Sequence, residues 1–170
     1  VAPHFPLTGP ERFFAVYRDK PLRMPKGYRF GIDEQAHPFP QQYARHSGYN
    51  LHFKTEADVH RALCGYYGLV SYLDDQVGRI LRALEQAGLA SDTRVAYLSD
   101  HGDNVGSRGL WGKSTMHAES VGIPLILRGD DVPAGRVEAA AVSHIDIFNT
   151  VLDAVGMDLS SSTASARSQS

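Results

Sequence analysis

The sequence predicts an α/β layered protein, and three observations carry that prediction. A long amphipathic helical pattern opens at residue 55, short apolar runs of strand type follow at 94–99 and 123–127, and a second helical pattern starts at residue 143. Glycine-rich chain at 101–120 separates the two apolar runs, and folds of this class bind ligands at the carboxyl ends of their strands. Residues 1–54 read as irregular and loop-rich, 55–156 as the α/β part, and 157–170 as a Ser-rich, disordered tail.

Pro3, Pro6, Pro10, Pro21, Pro25, Pro38 and Pro40 punctuate the first segment, and helical spacing survives there only over Glu11–Arg18. Thr55 with Asp58 three residues on is a capping-box signature. Val59, Leu63, Tyr66, Val70, Leu73, Val77, Ile80 and Leu84 then recur at helical spacing until Gly88, which predicts a helix of about 30 residues. Asp92-Thr93 turns the chain into the run at 94–99, which is expected to be buried on both faces. The second strand is placed at 123–127 and a third, short one at 139–142. Ser143 or Asp146 caps a last helix that runs to Val155 and ends at Gly156.

Seventeen basic residues against nineteen acidic ones leave a formal net charge of −2, so composition gives no footprint for nucleic acid or an anionic membrane surface. No run approaches the roughly 20 apolar residues that span a bilayer. A small molecule is the expected partner; compartment and oligomeric state are left open. Cys64 is the only cysteine, which excludes an internal disulfide and a cysteine-based zinc site, so a metal would need Asp, Asn, Glu or His. The start, Val-Ala-Pro-His-Phe-Pro, has no initiator Met and reads as mid-protein.

Asp100-His101-Gly102-Asp103 sits where the first strand run emits its loop, placing a carboxylate beside an imidazole. Both can serve one ion only if the backbone turns there, and Gly102 permits a turn; Asp and Gly are equally ordinary turn residues. Lys113 follows in Gly109-Leu-Trp-Gly-Lys-Ser-Thr115. An ammonium in such a loop suits phosphoryl or sulfuryl transfer, where charge spreads over non-bridging oxygens and the leaving oxygen. A lone loop lysine is more often a solvated charge, but Leu110 and Trp111 anchor this one.

Tyr72-Leu-Asp-Asp-Gln-Val-Gly-Arg79, Ser99-Asp-His-Gly-Asp103, Gly109-Leu-Trp-Gly-Lys113, Glu119-Ser120, Ile123-Pro-Leu-Ile126 and Ser143-His-Ile-Asp-Ile147 together resemble the second half of type I sulfatases, members of the alkaline phosphatase superfamily. The choline-sulfatase and phosphonate monoester hydrolase branch is nearest in look. Pro3-His4-Phe5-Pro6 extends the likeness to the start. The resemblance implies a partial alkaline-phosphatase-like layered sheet flanked by helices, and the carboxyl-terminal portion of a sulfatase catalytic domain. It implies Asp100 and His101 as two ligands of one divalent cation, calcium first, with manganese or zinc as alternatives since His replaces a common Asn. It implies Lys113 on the sulfate oxygens, His4 as the group that contacts sulfate or protonates the leaving oxygen, and His117 and Glu119 along the substrate pocket.

The family's nucleophile, a Cys or Ser in Cys/Ser-x-Pro-x-Arg that is oxidised to formylglycine, is not in this chain and is expected ahead of it. Cys64 in Cys-Gly-Tyr-Tyr lacks the required Pro and Arg, and Thr8-Gly-Pro-Glu-Arg12 only echoes the spacing. Asp103 is a candidate acceptor for a ligating group. His144 resembles a second-metal ligand of two-zinc relatives only weakly; Asp146 reads as a helix cap. His37, His46, His52 and His60 have no evident chemical partner, and Asp74 and Asp75 read as a solvated helix face. The expected reaction is hydrolysis of a sulfate ester, with phosphonate monoester or phosphodiester hydrolysis as the enzymatic alternative and a non-catalytic half-domain as the other.

Overall fold

A computed structural model describes residues 2–157. The described chain forms helices α1 (Glu11–Arg18), α2 (Pro38–Ser47), α3 (Glu56–Gln86), α4 (Ala118–Val121) and α5 (His144–Ala154), and strands β1 (Val95–Leu98) and β2 (Leu125–Arg128). It divides into two compact units, one of residues 1–90 with 101–124 and one of 91–100 with 125 onward.

The first unit is organised by α3. Thr55 accepts the Asp58 amide while the Asp58 carboxylate accepts the Thr55 amide, so the predicted capping box closes and satisfies two otherwise orphaned donors. Thr55→Ala is expected to cost about 1 kcal/mol, read as a lower urea midpoint. Helix α1 lies against α3 where an ideal Cβ on Gly68 would come within 3.1 Å of the Phe14 backbone, so a side chain there would push the helices apart by a few tenths of an ångström. The Tyr17 hydroxyl meets Ser71 Oγ at 2.8 Å, and Phe13 meets Tyr72 edge-on. Cys64, fully buried, donates its Sγ–H to the Tyr17 carbonyl, and burial pushes its thiol pKa up, which makes it a packing residue and no nucleophile.

Val59, Ala62 and Leu63 of α3 surround Trp111, which is 1% exposed. Phe53 stacks on the indole at 4.1 Å between ring centroids and Phe5 meets it edge-on at 6.3 Å. Helix α2 lies inside the segment read as irregular. His37 Nδ1 accepts the Phe39 amide, Pro38 occupies the first helical position, and Gly48 ends the helix in the left-handed region at φ 62°. Proline at the start and glycine at the stop are compatible with a helix, and its weak apolar stripe hid it.

In the second unit, β1 and β2 pair antiparallel with Val95 opposite Arg128 and Leu98 opposite Leu125. Strand β1 is not buried on both faces: Ala96 is exposed and its neighbours are half-buried, because among the described residues the sheet has two strands. No strand forms at 139–142. The Glu138 carboxylate there accepts the Ala139 and Ala140 amides, a local turn that takes donors a ladder would need. Ser143, not Asp146, is the N-cap of α5, and Asp146 is its capping-box partner. The mixed helix and antiparallel-sheet architecture agrees with the α/β class. The tail lies outside the described residues from 158 on.

Candidate functional site

The loop that carries Lys113 is fixed before its charge is considered. Asp103 Oδ1 accepts the amides of Val105 (2.9 Å) and Gly112 (3.0 Å). Asn104, 1% exposed, donates both its backbone N–H (2.8 Å) and its Nδ2 (2.7 Å) to the Gly112 carbonyl, and its Oδ1 accepts the Thr115 hydroxyl. These bonds tie both ends of 103–112 together beside the buried Trp111. Val105, β-branched, is held at φ 44°, a strained conformation of the kind that persists only where surrounding bonds over-determine it. Gly112 at φ 75° would place a Cβ 2.7 Å from the Tyr43 hydroxyl, so glycine is required there on both counts.

Tyr43 in turn donates to the Trp111 carbonyl at 2.7 Å. Burial first, then the neighbouring Tyr49 and the Asp103 charge, push its pKa up to about 12. A raised tyrosine pKa gives stability that is whole below the unfolded value of 10.0 and is lost as pH rises through the folded one. Unfolding followed by near-ultraviolet absorbance between pH 10 and 12 is expected to show this loss, and Tyr43→Phe to reduce it, the rest coming from Tyr28, whose pKa burial also raises.

Gly102 solves a different problem from the turn expected of it. Its φ is not positive; its amide donates to the Ser120 carbonyl at 2.8 Å, and a Cβ would lie 2.1 Å from the Glu119 carbonyl oxygen. Gly102→Ala is therefore expected to cost about 3 kcal/mol through forced backbone displacement, measured by chemical denaturation.

The next residue back, His101, meets Lys113 and His4. His101 Nδ1 lies 2.8 Å from the Gly102 carbonyl and His4 Nδ1 lies 2.7 Å from the Phe5 carbonyl. A carbonyl only accepts, so both rings carry a proton on Nδ1 and present Nε2 as the lone-pair nitrogen when neutral. Lys113 Nζ donates to His101 Nε2 at 2.7 Å and to His4 Nε2 at 3.0 Å. The rings stand edge-on, 6.0 Å apart. Three of the residues singled out in the sequence thus converge, with His4 drawn in from 109 positions away.

Asp100 ends the β1 segment of the second unit, where the Ser99 hydroxyl reaches its Oδ1 at 3.5 Å. His144 donates Nε2–H to the Ser99 carbonyl at 2.8 Å. His117 begins α4 without capping it and lines a cavity with Arg108. The Arg108 guanidinium donates to Glu119 at 2.9 Å and holds that carboxyl below the usual range. Neither His117 nor Glu119 joins the hydrogen bonds of Lys113. Asn104, Tyr43 and Arg108 escaped sequence reading, since a buried asparagine or a paired arginine leaves no periodic trace.

The donor chemistry fits a divalent cation in part. His101 donates Nδ1–H to a carbonyl, the arrangement that orients a metal-binding imidazole through its other nitrogen, and that nitrogen here accepts from Lys113. No group of three His, Cys, Asp or Glu suited to a metal occurs among the described residues. Likewise, none of the described helices is long and apolar enough to cross a membrane.

Comparison with known proteins places the chain in a family. The family model described as Sulfatase matches residues 1–157. Choline-sulfatase of Rhizobium meliloti (strain 1021) is 31% identical over 157 residues, which covers 92% of this chain and 30% of that protein. The multifunctional alkaline phosphatase superfamily protein PehA of Trinickia caryophylli is 28% identical, with 91% of this chain and 32% of that protein covered. The phosphonate monoester hydrolase SpPMH of Silicibacter pomeroyi superposes with a TM-score of 0.83 at 30% identity, covering 92% of this chain and 33% of that one. The chain spans about a third of the length of these relatives, and with a family match over nearly its whole described length it belongs to the sulfatase family of hydrolases.

Proposed function

We propose that this chain is the carboxyl-terminal part of a metal-assisted sulfatase domain that hydrolyses a sulfate monoester to an alcohol and sulfate. The convergence of His4 Nε2 and His101 Nε2 on Lys113 Nζ carries the reading. Lys113 binds non-bridging sulfate oxygens and steadies the leaving oxygen as charge grows on it. His4, its ring aimed by the Phe5 carbonyl, takes a proton on Nε2 and hands it to the departing alkoxide. Asp100 and His101 would hold a divalent cation, calcium or, given the imidazole, manganese or zinc, with His101 Nε2 then turned from Lys113 to the cation. When bound, that cation polarises the ester oxygens, and formylglycine from outside this chain supplies the nucleophile. His117 and Glu119 border the substrate, Glu119 through Arg108.

Likeness to the phosphonate monoester hydrolase supports a second reading, since the same donors suit a phosphonate or phosphodiester oxyanion. Assays of an aryl sulfate and an aryl phosphonate monoester with the complete domain separate the two by their kcat/KM ratio. This chain alone is expected to turn over neither. Turnover by the isolated chain that Lys113→Ala abolishes would overturn the division of labour. A complete domain that binds no divalent cation would overturn the metal assignment.

A further inference from the structure

The cavity that His117 and Arg108 line lies in the first unit and is about 400 Å³ in volume, and none of Lys113, His101 and His4 lines it. Leu110 and Ala44, both buried, contribute an apolar floor, and Arg29, His37, Arg108 and His117 contribute to its polar lining. Its position is fixed by backbone. Arg108 sits at φ 58° with its amide donating to the Lys26 carbonyl at 2.9 Å, and Gly109 packs so closely that a Cβ would meet the Arg29 carbonyl at 2.5 Å. A non-glycine residue is held in that region only against strain, and here it presents a guanidinium to the cavity that Arg29 also lines. Arg108 Nη1 engages Glu119 and Arg29 Nη1 engages Asp33 at 3.2 Å, but each guanidinium has five N–H donors. His37 accepts the Phe39 amide on Nδ1, so its ring proton sits on Nε2 as a further donor.

We propose that this cavity binds an anionic group carried on an apolar organic body, a carboxylate or second sulfate of the substrate, through Arg29 and Arg108. The volume suits a small ligand, and planar guanidinium forks suit planar or tetrahedral oxyanions. Naming the anion as part of the substrate rests on the sulfatase reading; the binding site itself does not.

The test is a titration of the chain with benzoate and with inorganic sulfate, following the ring resonances of His117 and His37 by NMR. Lys113→Ala serves as background, so that binding at the Lys113 cluster cannot be counted, and failure of the catalytic reading leaves the outcome unchanged. In the unsubstituted chain the His101 ring reports the other cluster separately. Saturable shifts are expected, with benzoate about tenfold tighter than sulfate because of the apolar floor. Arg108→Gln and Arg29→Gln should each weaken benzoate about tenfold. Glu119→Gln should tighten it, since Arg108 is then released from its carboxylate. Absence of saturable shifts, or equal affinity in folded Arg108→Gln and Arg29→Gln, overturns the site. Parallel weakening by Glu119→Gln and Arg108→Gln overturns it in favour of a purely structural ion pair, and sulfate binding as tightly as benzoate overturns the organic ligand.

Discussion

Trp111→Ala is expected to destabilise the first unit by about 4 kcal/mol, within the range of large aromatic truncations in well-packed cores. The indole is almost completely buried, stacked by Phe53, edged by Phe5, and packed on Val59, Ala62 and Leu63 of α3. Every one of those partners would face a cavity. Collapse is opposed because the neighbouring backbone is already committed: the Trp111 carbonyl accepts from Tyr43, and Gly112 is bound on both its amide and its carbonyl. Urea unfolding should show a lower midpoint with little change in slope, while Trp111→Phe should lose clearly less. A loss below about 1 kcal/mol for the alanine variant would mean that this indole is not the core's keystone.

Lys113→Ala is expected to lower kcat/KM of the complete enzyme by about a thousandfold, the scale seen when one preorganised donor to a developing anion is removed. The loss should appear with activated and unactivated esters alike, because the ammonium serves the non-bridging oxygens as well as the leaving one. His4→Ala should differ in kind. Its penalty should be small for an aryl sulfate with an acidic phenol and rise by about a hundredfold or more for an alkyl sulfate, whose alkoxide needs a proton in order to leave. Equal penalties for His4→Ala across leaving groups would remove His4 from the proton-transfer role. Substitution of Lys113 by arginine should not restore the rate, since a planar fork cannot replace a compact ammonium that meets two imidazole nitrogens at 2.7 and 3.0 Å.

Much of this was legible in the sequence because it rests on local chemistry. Thr55 and Asp58 announce α3, Ser143 stands before α5, and Lys113 is set off by flanking glycines and a tryptophan. Other features depend on partners remote in the chain. Nothing near His4 shows that its ring reaches Lys113, and the family likeness alone pointed to it. Helix α2 was hidden among prolines, because proline marks both irregular chain and the first turn of a helix. The strand at 139–142 failed for the opposite reason: its apolar residues are right, but Glu138 engages their amides first. Gly102 shows a third limit. The sequence marks a glycine where the chain must do something unusual, but it does not distinguish a turn from the near-collision with Glu119 that the fold imposes.

The same Gly102–Ser120 bond has a consequence for how this protein can change. By closing the loop at its mouth, it lets the enclosed chain turn one side chain, Met116 at 85% exposed, out to solvent, while Lys113 stays bonded to His101 and Thr115 beside it stays buried. Lengthening a closed loop costs only about 0.6 kcal/mol per doubling, so the fold tolerates new sequence there far better than at its neck. Sequence change can therefore accumulate at Met116 while the Lys113–His101 bond stays fixed.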